Sequence, residues 1–102
     1  MSLVKAESVI ASPKFKRKAK KLNANDKKYL DEQIKILMKA PETGTLKSGD
    51  LSHIRVHYFK FPKSREITLL AYIYNEGLIT LMLLDYGTHE NFYRELKRHP
   101  DL

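Results

Sequence analysis

The chain contains no cysteine, which excludes a disulfide framework and any cysteine-based metal site. No apolar run approaches the roughly 18 residues needed to span a bilayer. The segment from Met1 to Ser12 also lacks the apolar core of a signal peptide. These absences predict a cytoplasmic protein without a membrane partner, and the lack of cysteine fits a reducing compartment.

Common catalytic signatures are also missing. There is no HExxH motif, and the acidic residues do not cluster near the histidines in sequence, as a metal site would require. Covalent catalysis has no cysteine and no local serine signature to support it. We therefore expect no metal and no other cofactor, so that any chemistry falls to histidine, tyrosine and arginine.

Positive charge is what the chain has in excess. Its 102 residues include 19 Lys and Arg against 12 Asp and Glu, for a formal net charge of +7. This charge favours an anionic partner, most commonly nucleic acid and next an acidic protein segment. With 42% hydrophobic residues, residues 1–102 are expected to form one globular domain.

The hydrophobic pattern predicts an α+β domain in the order β-α-α-β-β-β-α. Strands are predicted at Val4–Ala11, His53–Phe61, Ile67–Tyr74 and Leu78–Leu84, the last of them central. Helices are predicted at Pro13–Leu22, from an Asn25 cap through Lys39, and from a Thr88 cap to just before Pro100, with a loop at Glu42–Asp50. Since tight turns join the later strands, we expect a small antiparallel sheet with an N-terminal helical hairpin and a C-terminal helix.

The first predicted helix is unusually basic. It is expected to contact a phosphate backbone through Lys14, Lys16, Arg17, Lys18, Lys20 and Lys21. Such contacts supply salt-sensitive affinity rather than sequence preference. The alternative is a solvated helix face that only keeps the protein soluble.

Two further polar clusters suggest a site for RNA cleavage without a metal. His53, Arg55 and His57 alternate on one face of a strand, and His89 and Tyr93 lie four residues apart in the C-terminal helix. Cleavage needs a base for the ribose 2′-OH, an acid for the leaving 5′ oxygen, and cations for the phosphate. The alternative is that an exposed strand face is simply polar.

The chain resembles the RelE branch of the RelE/ParE toxin superfamily of bacterial type II toxin–antitoxin systems. The resemblance rests on the element order, on FKRKAKKL near the start, and on the tail GTHENFYRELKR, which is similar to the GxHENFYRDLKR ending of RelE-like toxins. It implies an mRNA endonuclease that acts on translated messages at the ribosome and is neutralised by an antitoxin. We expect that antitoxin to be acidic or amphipathic and to land on Leu70, Tyr72 and Tyr74.

The resemblance also implies a set of site residues. The family's basic pair on the strand after the helical hairpin falls on Arg55 and His57, its position after the last strand on His89, and its C-terminal tyrosine on Tyr93. The family's arginine on the next strand falls at or near Thr68, a departure for which Arg65, Lys63 or Arg94 would have to compensate. The implied roles are proton transfer by His89 or His57, base stacking or proton transfer by Tyr93, and phosphate binding by Arg55 with Arg65.

Two other functions remain open at this point. One is a ParE-like toxin that inhibits DNA gyrase with the same fold and no hydrolysis. The other is a catalytically inactive module that binds nucleic acid through the lysine-rich helix. Histidine and tyrosine in the two clusters favour the nuclease, because a pure binder does not need proton-transfer groups.

Overall fold

The computed structural model describes residues 6–47, 49, 53–88 and 92. Its elements are β1 (Ser8–Ala11), α1 (Pro13–Lys20), α2 (Ala24–Lys39), β2 (Thr45–Leu46), β3 (Arg55–Phe59), β4 (Thr68–Asn75) and β5 (Thr80–Thr88), with a 3₁₀ turn at Pro41–Thr43. The strands form one five-stranded sheet in the order β1-β5-β4-β3-β2. The predicted α+β class is confirmed.

The sheet is mixed rather than purely antiparallel. β1 runs parallel to β5, with Ser8 opposite Thr80 and Ala11 opposite Leu83, whereas the other neighbouring strands are antiparallel. Tight turns fix the direction only of strands that follow one another, and Ser8 and Thr80 are 72 residues apart. The sequence pattern therefore left the direction of β1 undetermined.

Side-chain caps set the starts of both helices. The Ser12 hydroxyl accepts a hydrogen bond from the backbone N–H of Phe15 at 3.1 Å, and Pro13 occupies the first turn, as predicted. The second cap is Asn23 and not Asn25, because the Asn23 side-chain oxygen accepts from the Asp26 N–H at 2.8 Å. α2 consequently begins at Ala24, two residues earlier than a cap at Asn25 would place it.

The last strand lies further along the chain than predicted. Leu78 is 71% exposed and Ile79 has a positive φ of 50°, so both belong to the turn before β5. β5 then continues through Asp85, which was predicted to end it, as far as Thr88. The predicted loop at Glu42–Asp50 also contains the short strand β2, which pairs with β3.

Both faces of the sheet are buried. On the helical face, Phe15, Leu30 and Leu37 from the helices share one cluster with sheet residues that include Tyr72 and Leu83. The opposite face carries a second cluster, composed of Ile54, Val56, Leu69, Ala71, Leu84 and Phe92. The predicted antitoxin landing site is therefore wrong in part, because Leu70 and Tyr72 are fully buried under the helices.

The C-terminal helix was predicted to start from a cap at Thr88, but Thr88 is the last residue of β5. The rest of that prediction lies outside the described residues, apart from Phe92. The Phe92 side chain is buried and belongs to the second cluster. In the part of the chain that the structure describes, no helix is long and apolar enough to cross a membrane.

Candidate functional site

The strand register brings the loop between β3 and β4 to the same end of the sheet as the last residue of β5. Phe59 is paired with Thr68, and Thr68 is paired with Thr88. The intervening loop carries Lys60, Lys63 and Arg65, whose side chains are all exposed. The loop also carries the exposed acid Glu66, so three cations against one acid make this end of the sheet basic.

Aromatic rings lie beside this basic loop. Phe59 and Phe61 meet edge to face with 5.1 Å between ring centroids, and Tyr29 of α2 is 6.1 Å from Phe59 and 6.2 Å from Phe61. Phe59 is buried, whereas Tyr29 and Phe61 are half-buried and reach the surface. Partly exposed aromatic rings beside cations are what unpaired nucleotide bases and phosphates contact in single-stranded RNA complexes.

His57 projects from β3 toward α2. Its Nε2 atom lies 2.8 Å from the side-chain oxygen of Gln33, and its ring stacks on Phe59 with centroids 5.8 Å apart. Burial lowers the pKa of His57 below its ordinary value, so the imidazole is neutral near pH 7. A neutral imidazole can accept a proton, but here the Gln33 contact occupies one of its two nitrogens.

Gln33 was not predicted from the sequence, although a signal was present. It lies between Leu30 and Leu37 on the apolar face of α2 and is buried with them. A buried polar side chain needs a hydrogen-bond partner, and His57 provides it. A glutamine within an apolar helical stripe therefore indicates a polar contact across the helix–sheet interface.

Arg55 is also held by internal contacts. Its guanidinium Nη1 donates to the backbone carbonyl oxygens of Gly44 at 2.8 Å and Glu42 at 3.3 Å. Arg55 thus ties the segment between α2 and β2 to β3. His53 lies in the turn before β3 and is exposed, so the three predicted residues do not form a continuous solvent-facing ladder.

Asp85 is the most consequential residue that the sequence analysis missed. Its carboxylate is completely buried, with one oxygen 2.7 Å from Lys18 Nζ and the other 3.3 Å from Lys14 Nζ. Lys18 also donates to the backbone carbonyl of Tyr86 at 2.8 Å. Two features of the sequence could have indicated this ion cluster. One is the single acid in an apolar strand, and the other is the pair of lysines four residues apart on a helix.

This cluster affects the neighbouring tyrosine as well. Burial, followed by the negative charge of Asp85 and then that of Asp26, raises the pKa of Tyr86 to about 12. The Tyr86 hydroxyl consequently stays protonated across the physiological range. Its ring packs edge to face on Phe15 of α1, at 5.2 Å between centroids.

The basic residues of the first helix therefore fall into two groups. Lys14 and Lys18 face Asp85 and hold α1 against β5. The other four, Lys16, Arg17, Lys20 and Lys21, have exposed side chains. The four exposed cations can contact phosphates, whereas Lys14 and Lys18 are paired with Asp85.

The remaining predicted site residues, His89 and Tyr93, lie outside the described residues. Arg65 is described and exposed, and Thr68, the position at which the family has an arginine, is buried. Among the described residues, no group of three or more His, Asp and Glu side chains is arranged to hold a metal ion.

Comparisons with known proteins agree with this architecture. A family model described as the ParE-like toxin of type II bacterial toxin-antitoxin systems matches residues 9–97. The intact Escherichia coli RelBE toxin–antitoxin complex contains a similar chain, with a TM-score of 0.65 and 14% identity over 83% of this chain and 99% of that one. No curated protein sequence gives a significant match.

Two further solved structures share the fold. A double arginine-to-alanine mutant of E. coli RelE in the free state has a TM-score of 0.68 and 12% identity, covering 92% of this chain and 93% of that one. A RelBE toxin–antitoxin complex from Mycobacterium tuberculosis has a TM-score of 0.68 and 16% identity, with coverages of 86% and 95%. At these identities the structural matches establish the fold alone.

Proposed function

The chain belongs to the ParE-like toxin family of type II bacterial toxin–antitoxin systems, and from that premise we propose that it cuts translated messenger RNA at the ribosome without a metal ion. Its partners in this proposal are mRNA, the ribosome and a cognate antitoxin. The antitoxin partner is supported by two solved toxin–antitoxin complexes, each of which contains a chain with the same fold as this one.

One observation carries the nuclease proposal. A single end of the sheet combines the exposed cations Lys60, Lys63 and Arg65 with the half-buried rings of Tyr29 and Phe61. In this proposal the rings stack with bases and the cations neutralise phosphates. Thr88, the last residue of β5, lies at this end as well, because it pairs with Thr68. His89 directly follows Thr88 in the sequence.

The proposed chemistry is attack of a ribose 2′ oxygen on the adjacent phosphorus. A base removes the 2′-OH proton, the P–O bond to the 5′ oxygen breaks, and an acid protonates that leaving oxygen. The products are a 2′,3′-cyclic phosphate on the upstream fragment and a 5′-OH on the downstream fragment. His89 is proposed for proton transfer, Tyr93 for base stacking or proton transfer, and Arg65 for the developing charge on the phosphate.

Arg55 and His57 receive a supporting role in this proposal. The Arg55 guanidinium is bound to carbonyl oxygens, and the His57 ring is bound to Gln33 beneath the aromatic cluster. We propose that they fix the wall of the site. Arg65 then takes the place of the family arginine that is absent at Thr68, because it is exposed in the loop three residues earlier.

The test is to map 5′ ends of messages in bacterial cells after induction of the unsubstituted chain, in messages with and without a start codon. We expect 5′-OH ends confined to translated regions. His89→Ala should reduce cleavage about 10²–10⁴-fold, the range measured for loss of a proton-transfer group. Arg65→Ala should reduce it about 10²-fold, as expected for a group that stabilises the transition-state charge. Lys28→Ala, an exposed cation on α2, is the matched control.

A gyrase inhibitor without nuclease activity is the second candidate. It is favoured by the internal hydrogen bonds of Arg55 and His57, which engage both half-buried side chains within the molecule. Growth arrest with intact messages and with DNA broken in gyrase complexes would support this function and contradict RNA cleavage. Cells that grow normally would instead indicate a catalytically inactive binding module.

A further inference from the structure

Gln33 connects α2 to His57 of β3. Its side chain is only 9% exposed, and its carboxamide oxygen lies 2.8 Å from Nε2 of His57. Because a carboxamide oxygen only accepts hydrogen bonds, Nε2 must carry the proton that the two side chains share. The contact therefore selects one of the two neutral forms of the imidazole, the form that is protonated on Nε2.

The other ring nitrogen of His57, Nδ1, reaches solvent. In the part of the chain that the structure describes, the contact with Gln33 is the only hydrogen bond of the His57 ring. Among these same residues, the one fully buried side-chain polar atom without a hydrogen bond is a carboxylate oxygen of Asp85. Nδ1 has no hydrogen bond either, so it must be accessible. With the proton on Nε2, this accessible Nδ1 is a hydrogen-bond acceptor.

The ring of His57 lies beside the aromatic cluster. It stacks on Phe59, with 5.8 Å between the ring centroids and 23° between the ring planes. Phe59 in turn contacts the half-buried rings of Phe61 and Tyr29, at centroid distances of 5.1 Å and 6.1 Å. Tyr29 and Gln33 are four residues apart on α2 and so lie on the same side of that helix. Gln33 and His57 therefore adjoin the surface whose rings are proposed to stack with bases.

From these contacts we propose that Gln33 is a positioning residue of the RNA site, which holds His57 in its Nε2-protonated form so that Nδ1 accepts a hydrogen bond from a ribose 2′-hydroxyl. The inference rests on the proposed function in taking the ligand to be RNA. In that function the rings take the bases and the loop cations take the phosphates, so the sugar remains for His57. DNA lacks the 2′-hydroxyl, and the contact therefore distinguishes RNA from DNA.

The uncharged side chain at position 33 suits this role. Burial lowers the pKa of His57 and keeps the imidazole neutral near pH 7. A protonated imidazole has an N–H on both nitrogens and offers no acceptor. A carboxylate in place of Gln33 would also accept from Nε2, but its charge would raise the pKa of His57. Glutamine fixes the position of the proton without adding a second one.

The first experiment is ¹⁵N NMR of the histidine side chains in the full chain without RNA, with His57→Gln to assign the His57 signals. We expect a protonated Nε2 and an unprotonated Nδ1. Gln33→Met keeps the length of the side chain but removes the acceptor, so it should give a mixture of the two neutral forms. Gln33→Glu should restore the Nε2-protonated form and raise the pKa of His57. Ile36→Met, at a 45% exposed position on the same helix, is the matched control and should leave the His57 signals unchanged.

The second experiment compares the binding of a fluorescently labelled single-stranded RNA with that of the 2′-deoxy oligonucleotide of the same base sequence. Binding is measured by anisotropy without ribosomes, and gel electrophoresis checks that the RNA stays intact. We expect the unsubstituted chain to bind RNA about fivefold more tightly, as one hydrogen bond supplies. Gln33→Met and His57→Gln should reduce this preference to less than about twofold, whereas Ile36→Met should keep it.

Three results would overturn the proposal: an Nδ1-protonated His57 in the unsubstituted chain, an unchanged proton position in Gln33→Met, or an RNA preference that Gln33→Met leaves intact. A chain that binds RNA no better than DNA would overturn it as well. Circular dichroism checks the fold of each variant. If Gln33→Met does not fold, the proton position in the unsubstituted chain and the RNA preference of His57→Gln decide. Neither experiment measures cleavage, so failure of the nuclease proposal leaves this inference standing, and failure here leaves the nuclease proposal standing.

Discussion

Replacing Asp85 by asparagine tests whether the buried ion cluster holds α1 on the sheet. The change removes the charge that faces Lys14 and Lys18 while keeping the shape of the side chain. Asparagine also keeps a side-chain oxygen, which can still accept the hydrogen bond that Asp85 receives from the Tyr86 N–H. The substitution therefore removes the negative charge with little change in side-chain volume.

The expected loss of stability follows from how deeply the Asp85 carboxylate and its two lysine partners are buried. Removing one partner of a fully buried ion pair costs about 3–5 kcal/mol. Here the carboxylate is fully buried, but the Lys14 and Lys18 side chains are 31% and 34% exposed and can regain water. We therefore expect a loss of about 2 kcal/mol, below the buried-pair range. For a domain of this size that loss lowers Tm by roughly 8–16 °C.

Thermal and urea unfolding of the Asp85→Asn variant measure this loss. Lys18→Met and the double variant complete a cycle, for which we expect a coupling energy of about 1–2 kcal/mol. Glu32→Gln, an exposed acid on α2, is the control and should change stability by less than about 0.5 kcal/mol. An Asp85→Asn protein as stable as its parent would refute the argument that this carboxylate secures α1.

The same variant has a spectroscopic signature. The Asp85 charge is the second cause, after burial, of the raised pKa of Tyr86. Ultraviolet titration of tyrosinate, with Tyr86→Phe to assign the signal, should show the pKa of Tyr86 falling below about 12 in Asp85→Asn while remaining above its ordinary value. An unchanged titration would contradict the close approach of these two side chains.

Two further predictions concern the helix–sheet interface. Tyr72→Phe should lower the free energy of unfolding by about 2 kcal/mol in urea titrations. The substitution removes the hydroxyl that donates to the Pro41 carbonyl and accepts from the Gly44 N–H. A neutral effect would show that these buried groups find other partners. Because the pKa of His57 is lowered in the folded chain, the unfolded chain binds more protons than the folded chain once the pH falls below about 6.5. The free energy of unfolding should therefore decrease from pH 7 toward pH 5. His57→Gln should flatten that decrease, and a parallel pH profile for the two proteins would contradict the burial of this histidine.

Local patterns in the sequence predicted the two helices of the N-terminal hairpin and strand β4 well. Ser12 and Pro13 mark the start of α1, and the alternating residues of β4 divide between the two sheet faces as expected. The turn before β5 was misplaced because Leu78 and Ile79 continue the apolar run of the strand. Hydrophobicity alone could not show that one is exposed and the other has a positive φ.

The site was harder to predict because its contacts join distant parts of the chain. Arg55 and His57 were correctly placed on one face of a strand, but that face lies against α2 and the segment after it. A strand pattern shows which residues share a face and does not show what covers that face. Asp85 was missed for the same reason, since its lysines are about 70 positions earlier, in a helix whose basic side chains were expected to face phosphates or solvent.

The parallel pairing of β1 with β5 has a consequence for protein synthesis. The partner of Ser8 is Thr80, 72 residues later, and β5 also supplies the carboxylate that holds α1. A chain emerging in order from its amino end thus makes β1 and the helical hairpin long before the strand on which both pack. The nascent protein cannot complete its sheet until β5 has been translated, so β1 and the helical hairpin must wait for the strand on which both pack.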